Sequence, residues 1–173
     1  MDYRLFLAIP LDSALQHAIN LYNRNLAKAI KPVPLEKLHL TVRFFGDLSD
    51  TLLPKLIPVI ENTLLSFPVF TLKPEQCIII PQNKIRLLAL NIEPNDTLSQ
   101  LFNSLEAHLR EIGIMHDPRP FLPHITLGKM IDESFDLSTV PPTQFERQSV
   151  TGLTLFNSIS GQYQPVYHFD LKA

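Results

Sequence analysis

Apolar and polar positions along the chain follow two rhythms, one typical of strands and one typical of helices. Residues 4–9 form a short apolar run that predicts a strand. Residues 11–30 then carry Leu15, Ile19 and Tyr22 at helical spacing, which predicts a helix that the sequence Lys-Pro-Val-Pro breaks. The chain is therefore predicted to begin with a strand followed by a helix.

The second half repeats this local order. The clearest helix is predicted for residues 96–113, where Asp96 is the expected N-cap and Gly113 the expected end, with leucines at helical spacing between them. A second helix, with prolines inside it, is predicted for residues 49–65. The predicted strands after the first are residues 37–47, 69–80, 84–92, 119–129, 145–158 and 163–171. Hairpin connections favour antiparallel pairing, so the predicted class is α+β.

The composition is that of an ordinary globular protein of 173 residues, with 45% hydrophobic residues, 18% charged residues and a formal net charge of −2. This charge excludes the strongly basic surface that grips long nucleic acids, so any nucleic-acid contact should be small and local. Cys77 is the single cysteine, which excludes an intrachain disulfide and a cysteine-rich zinc site. The apolar run near the N-terminus is too short to span a membrane, and we expect a cytoplasmic monomer.

Two short sequences, Leu-His-Leu-Thr-Val and Pro-His-Ile-Thr-Leu, share an order of histidine, aliphatic, threonine and aliphatic residues. Their histidines, His39 and His124, are 124 − 39 = 85 residues apart, close to half the chain. Strand alternation places each histidine on one face with its threonine, Thr41 or Thr126, while the aliphatic neighbours face the core. One such motif is usually explained by packing and β propensity, but two copies at this spacing favour a functional site.

Two such faces opposed across a cleft would supply an acid and a base for in-line displacement at phosphorus. One imidazole would take a proton from water, and the other would give a proton to the leaving oxygen. The hydroxyls of Thr41 and Thr126 would donate hydrogen bonds to non-bridging phosphate oxygens. This chemistry requires neither a metal ion nor another cofactor.

Three further sequences accompany the two motifs: Arg-Pro-Phe just before the second motif, Arg-Leu-Phe-Leu-Ala-Ile near the start and Ser-Gly-Gln-Tyr-Gln-Pro-Val-Tyr-His-Phe-Asp-Leu at the end. Together with the motifs they resemble a known family. The chain resembles the two-histidine (2H) phosphoesterase superfamily, and within it the bacterial and archaeal RNA 2',3'-cyclic phosphodiesterases, historically called 2'-5' RNA ligases. The resemblance implies one α+β domain, residues 1–173, made of two intimately packed antiparallel-sheet lobes with pseudo-twofold symmetry. Helices are expected on the outer faces, and the active cleft between the sheets.

The resemblance also implies metal-independent hydrolysis of terminal 2',3'-cyclic phosphates to 2'-phosphomonoesters, on RNA, oligonucleotides or small cyclic nucleotides. By motif position His39 is the expected proton donor and His124 the expected proton acceptor, with Thr41 and Thr126 as phosphate ligands. Two alternatives stay open. One is 2'-5' joining of RNA ends by the same residues, and the other is a non-catalytic module that binds nucleotides or RNA in the same cleft.

Two basic residues near the motifs are further candidates for phosphate contacts. By strict alternation Arg43 and Phe45 share a face with the first histidine, where Arg43 could contact a phosphate and Phe45 a base. Strand twist could instead turn both side chains to the rim, and a phenylalanine in a strand usually packs in the core. Relatives usually carry arginine five residues after the second histidine, where this chain has Lys129. Lysine lacks the forked guanidinium, and it faces the cleft only if Gly128 forms a bulge.

For Arg119 and Phe121, which precede the second motif, a structural role and a substrate contact are equally compatible with the sequence. The remaining histidines are interpreted as surface or packing residues: His17, His108, His116 and His168. The acidic residues of the loop after the second motif lack the spacing of a metal site and are interpreted as solvated.

Overall fold

The computed structural model describes residues 2–173 and contains three α-helices and ten strands in that range. The helices are α1 (Ser13–Asn23), α2 (Leu53–Leu64) and α3 (Asp96–Glu111). The strands are β1 (Asp2–Pro10), β2 (Ile30–Pro32), β3 (His39–Ser49), β4 (Phe70–Leu72), β5 (Pro74–Gln82), β6 (Ile85–Ile92), β7 (His124–Met130), β8 (Gln148–Val150), β9 (Gly152–Ile159) and β10 (Gln162–Asp170). Helices and antiparallel strands confirm the α+β class.

The helix predictions are confirmed for all three helices, with differences at their ends. The helix α1 ends at Asn23, well before the predicted end, because Ile30 to Pro32 form β2 and pair with β7 instead. The N-cap of α3 is Asn95 rather than the predicted Asp96, and its side chain accepts a hydrogen bond of 2.9 Å from the Leu98 amide. In α2, Pro54 lies in the first turn, where proline costs no hydrogen bond, and Pro58 lies inside the helix.

The strands form one eight-stranded sheet in the order β10-β9-β1-β3-β7-β6-β5, with β2 also paired to β7, and a separate pair β4-β8. All pairings between these strands are antiparallel. Strands β10, β9, β1 and β3 form one half of the sheet, and β7, β6, β5 and β2 form the other. The halves meet at β3 and β7 through the residue pair Leu40 and Ile125. The expected lobes are thus joined into one continuous sheet rather than two separate ones.

One face of this sheet packs against the helices. Leu5, Leu7 and Ile9 of β1 are buried in the hydrophobic core with Leu40 and Ile125, and the buried side of each helix belongs to the same cluster. Alternation along β3 and β7 therefore directs the histidines and threonines of both motifs to the opposite face. We call this opposite face the histidine face.

Both motif strands contain a β-bulge at the same place. The register of β3 against β1 skips Val42, and the register of β7 against β6 skips Leu127. Each skipped residue lies three positions after the motif histidine, and the burial pattern of the first five residues is the same in both strands. The repeat in the sequence therefore extends to the backbone, and the alternation reverses after the bulge in both strands.

The residue after the second bulge is constrained to be glycine. A Cβ atom added at Gly128 would lie 2.4 Å from the carbonyl oxygen of Lys31 in the neighbouring strand. The absence of a side chain lets β2 approach β7 and complete the sheet beside the motif.

Candidate active site

The two His-x-Thr motifs lie side by side in the sheet. Antiparallel pairing of Leu40 with Ile125 places His39 beside Thr126 and Thr41 beside His124 on the histidine face. The structure therefore brings together all four predicted residues. They lie on neighbouring strands of one sheet, and not on two opposed faces as expected from the sequence.

Each histidine is oriented by a backbone carbonyl two residues earlier. Nδ1 of His39 lies 2.7 Å from the carbonyl oxygen of Lys37, and Nδ1 of His124 lies 2.7 Å from that of Leu122. A carbonyl accepts only, so Nδ1–H donates and the neutral tautomer carries its lone pair on Nε2. Both imidazoles therefore present Nε2 for proton transfer.

The surroundings of the two histidines differ. The Nε2 atom of His39 is 3.0 Å from Oγ1 of Thr41, which donates to it in the neutral tautomer. The His39 ring also packs against Phe6 and Tyr163, with centroid distances of 5.2 and 5.5 Å. Burial lowers the pKa of His39 below its ordinary value; the hydrogen bond to Lys37 opposes this shift, and repulsion from a charged His124 adds to it. The environment of the paired motifs is thus asymmetric, with aromatic rings packed against His39.

The tip of the β9–β10 hairpin lies over His39. The hairpin turns at Ser160 and Gly161, both with positive φ, and the Lys37 ammonium donates a hydrogen bond to the Gly161 carbonyl. The same ammonium lies 5.5 Å from the centre of the Tyr163 ring. Sequence reasoning missed Tyr163, since nothing in the alternation of β10 indicates that the hairpin reaches the first motif.

Arg43 does not reach the histidine face, so the orientation that strict alternation predicts for this candidate phosphate ligand is wrong. The bulge at Val42 turns its side chain into the protein, where it is 6% exposed. Its guanidinium donates to the buried carboxylate of Glu106 in α3 and to the carbonyl oxygens of Phe44 and Met115. Arg43 therefore links β3 to α3 and to the chain that follows α3.

The same bulge exchanges the two phenylalanines of β3. Phe45, the predicted candidate for a base contact, packs against the core, with the Arg43 guanidinium 5.5 Å from its ring centre. Phe44 is exposed on the histidine face, where it pairs with Phe6 and lies beneath the guanidinium of Arg4. An exposed aromatic side chain thus lies on the histidine face, one residue earlier than alternation predicts.

Lys129 lies on the histidine face, because β7 has a bulge at Leu127 and Gly128. It is exposed, while Gly128 and Met130 on either side are turned toward the core. The equivalent position after the first motif is that of Phe44.

Arg119 and Phe121, in the segment before the second motif, both contact neighbouring side chains. The Arg119 guanidinium forms a forked ion pair with Asp117, which lowers the pKa of that carboxyl to about 2. The Phe121 ring stacks on Phe102 of α3 at 4.1 Å. The other four histidines bond to neighbouring side chains or backbone outside the motifs, in agreement with their interpretation as packing and surface residues.

In residues 2–173 the structure shows no cluster of three or more histidine, cysteine, aspartate or glutamate side chains that could hold a metal ion. Within the same range, no helix is long and apolar enough to cross a membrane.

Residues 11–153 match the model of a protein family described as the 2'-5' RNA ligase superfamily. The chain belongs to this superfamily. The chain is also similar to the RNA 2',3'-cyclic phosphodiesterase of Methanothermobacter thermautotrophicus, which is 31% identical over 134 residues, covering 75% of this chain and 72% of the relative. The Escherichia coli K12 protein of the same name is 30% identical over 158 residues, covering 90% of this chain and 86% of the relative. The family expected from the sequence is confirmed.

The fold of the superfamily also matches over the full length. The crystal structure of E. coli LigT complexed with 3'-AMP superposes with a TM-score of 0.86 at 28% sequence identity, covering 100% of both chains. This agreement confirms the antiparallel α+β architecture that positions the two motifs.

Proposed function

We propose that this protein hydrolyses 2',3'-cyclic phosphates at the ends of RNA or oligonucleotides to 2'-phosphomonoesters, without a metal ion. The observation that carries the proposal is that His39 and His124 lie on neighbouring strands and on one face, each with Nδ1 fixed by a carbonyl so that Nε2 faces the site. The named activity of two relatives and the nucleotide phosphate bound to E. coli LigT support the same substrate class.

The proposed reaction transfers two protons. The oxygen of water attacks phosphorus as Nε2 of His124 takes its proton, and the bond from phosphorus to O3' breaks as Nε2 of His39 gives a proton to that oxygen. The products are a 3'-hydroxyl and a 2'-phosphate. A lowered pKa makes the imidazolium of His39 a stronger acid than an ordinary histidine, which suits a group that protonates an alkoxide-like leaving oxygen.

The threonines bind the phosphate in this proposal. Thr41 and Thr126 flank the imidazoles on the same face, and their hydroxyls donate to the two non-bridging oxygens as charge builds up in the transition state. Thr41 must then leave Nε2 of His39, to which it is bonded in the free protein. Binding of the phosphate thus exposes the nitrogen that carries the transferred proton.

Replacing each histidine tests the mechanism. We expect His39→Ala and His124→Ala to lower kcat for an RNA with a 2',3'-cyclic end by at least about 100-fold, the usual contribution of a positioned acid or base. The assay contains a chelator, and circular dichroism confirms that both variants are folded. His17→Ala, in the exposed part of α1, is the matched control and should retain full activity. Full activity in both motif variants would refute the mechanism.

A substrate with a good leaving group separates the two roles. A nucleotide p-nitrophenyl ester needs no proton on its leaving group, so His39→Ala should retain most of its activity on this ester while His124→Ala loses it. The reverse result would exchange the proton donor and the proton acceptor.

Two other functions predict different products. Joining of RNA ends to a 2'-5' linkage would appear as a longer RNA when a 5'-hydroxyl end is added to the assay. A binding module would retain the cyclic end unchanged across neutral pH while binding it. Conversion to the 2'-phosphate by the wild-type protein, lost in the histidine variants, favours hydrolysis over both.

A further inference from the structure

Two lysines face each other on the histidine face, just beyond the second motif. Lys31 of β2 is the register partner of Lys129 of β7, and both side chains are exposed. Cross-strand partners point to the same face, so the bulge that directs Lys129 toward the histidine face directs Lys31 there as well. Ile30, the preceding residue of β2, is 1% exposed and faces the core, which agrees with this orientation.

This arrangement is unfavourable in the free protein. Like charges directly opposite each other across two strands repel, and among residues 2–173 no carboxylate forms an ion pair with either ammonium. Other exposed cations of the chain, Arg119 and Arg147, do have carboxylate partners, Asp117 and Glu93. An anion between the two lysines would remove the repulsion.

Their position relative to the motif indicates which anion this is. Lys129 lies three residues after Thr126, which places its α-carbon about 10 Å further along the strand. The reacting phosphate is already surrounded by two imidazoles and two hydroxyls in the proposed mechanism. A lysine side chain at this distance extends to a group beyond that phosphate, on the same face.

We propose that Lys31 and Lys129 together bind the phosphodiester that precedes the terminal nucleotide, so that the enzyme prefers a cyclic phosphate at the end of an RNA chain to a cyclic mononucleotide. The inference rests on the proposed function and names its substrate class. One arginine guanidinium binds phosphate through two donors. In this chain two ammonium groups from neighbouring strands provide the two donors.

The test compares two substrates that differ by one phosphate. These are adenosine 2',3'-cyclic monophosphate and the dinucleotide ApA with a 2',3'-cyclic phosphate end. We expect Lys31→Gln to lower the preference for the dinucleotide, measured as the ratio of the two kcat/KM values, by about threefold to fivefold, as for one exposed ion pair. The change should lie in KM and not in kcat for the dinucleotide, since Lys31 does not contact the reacting atoms.

Salt dependence and matched variants complete the test. The slope of log KM against log salt for the dinucleotide should fall by about 0.7 in Lys31→Gln, as expected for one lost contact to a single strand. Lys31→Arg should retain the preference. Lys28→Gln, which removes the same charge from an exposed residue outside the sheet, should change neither ratio nor slope.

The outcomes separate this inference from the proposed function. A wild-type protein that hydrolyses neither substrate refutes the proposed function. An active enzyme in which Lys31→Gln leaves the ratio unchanged, or raises KM equally for both substrates, refutes the binding of the preceding phosphodiester alone.

Discussion

At the scale of single residues, the two histidines share their orientation but not their environment. Both use Nδ1 to bond a carbonyl two residues earlier, which follows directly from the motif and its strand. The aromatic packing of Phe6 and Tyr163 around His39 does not follow from the motif. This packing depends on the β9–β10 hairpin, whose turn lies more than 120 residues later in the chain. The Lys37 ammonium binds this hairpin through a hydrogen bond to the Gly161 carbonyl.

Removing Tyr163 should raise the pKa of His39. Burial is the largest cause of its low pKa, so Tyr163→Ala should return the pKa toward about 6.5, measured by NMR titration of the imidazole. Tyr167→Ala is the control, because Tyr167 lies on the same strand with the same 37% exposure and donates to Glu61 instead. An equal pKa in wild type and Tyr163→Ala would show that the hairpin does not desolvate the site.

The same pKa shift makes stability depend on pH. The unfolded chain binds a proton at residue 39 below about 6.5, whereas the folded protein binds it only at lower pH. The contribution of neutral His39 is therefore fully present above about 6.5 and is lost as the pH falls through this window. Urea titrations between pH 7.5 and 5 should show a smaller decrease in the free energy of unfolding for Tyr163→Ala than for wild type.

At the scale of elements, strands and helices followed from the apolar pattern, while the bulges did not. Val42 and Leu127 are ordinary strand residues, and no turn residue marks the first bulge. Strict alternation therefore assigned Arg43 to the histidine face and missed Phe44. Gly128 in the sequence indicated that the second bulge could form. Its close approach to the Lys31 carbonyl, which requires glycine, is visible only in the folded structure. The short strand β2 was missed because three residues carry too little pattern.

Gly128→Ala should destabilise the protein. The added Cβ would overlap a backbone carbonyl of β2 at 2.4 Å, so the strands must separate, at a cost of about 2–3 kcal/mol in the free energy of unfolding. Ser149→Ala, at an exposed strand position, is the control for the urea titration. A neutral effect of Gly128→Ala would mean that β2 does not pack against β7 as described.

Arg43→Ala should also act on stability, and not directly on catalysis. It leaves the Glu106 carboxylate buried with Nδ1 of His116 as its remaining side-chain partner, which should cost about 3–5 kcal/mol. Activity per folded molecule, measured below the midpoint of thermal unfolding, should remain near that of wild type. Normal stability combined with a raised KM would restore the phosphate contact that the sequence suggested.

At the scale of the whole molecule, the two halves of the sheet do not correspond to the two halves of the chain. The repeat of 85 residues relates the motif strands, but β9, late in the chain, pairs with the first strand, β1, and β10 pairs with β9. Side chains from both halves enter a single hydrophobic core. The sequence repeat predicted the pseudo-symmetry of the motifs, and could not predict this return of the chain end, because long-range pairing leaves no local pattern.

A single core predicts a single unfolding transition. We expect calorimetry to give one peak with equal calorimetric and van't Hoff enthalpies, as for one cooperative domain. Two separable transitions would show that the lobes fold as independent units.

Because the β9–β10 hairpin follows both motifs in the chain, the parts of the site are synthesised in a fixed order. A ribosome synthesises both His-x-Thr motifs well before it reaches β9 and β10, which complete the sheet beside β1 and bring Tyr163 over His39. A nascent chain that carries all four motif residues therefore still lacks one wall of the pocket. The enzyme therefore acquires its finished site only after β9 and β10 have been synthesised and β9 has paired with β1.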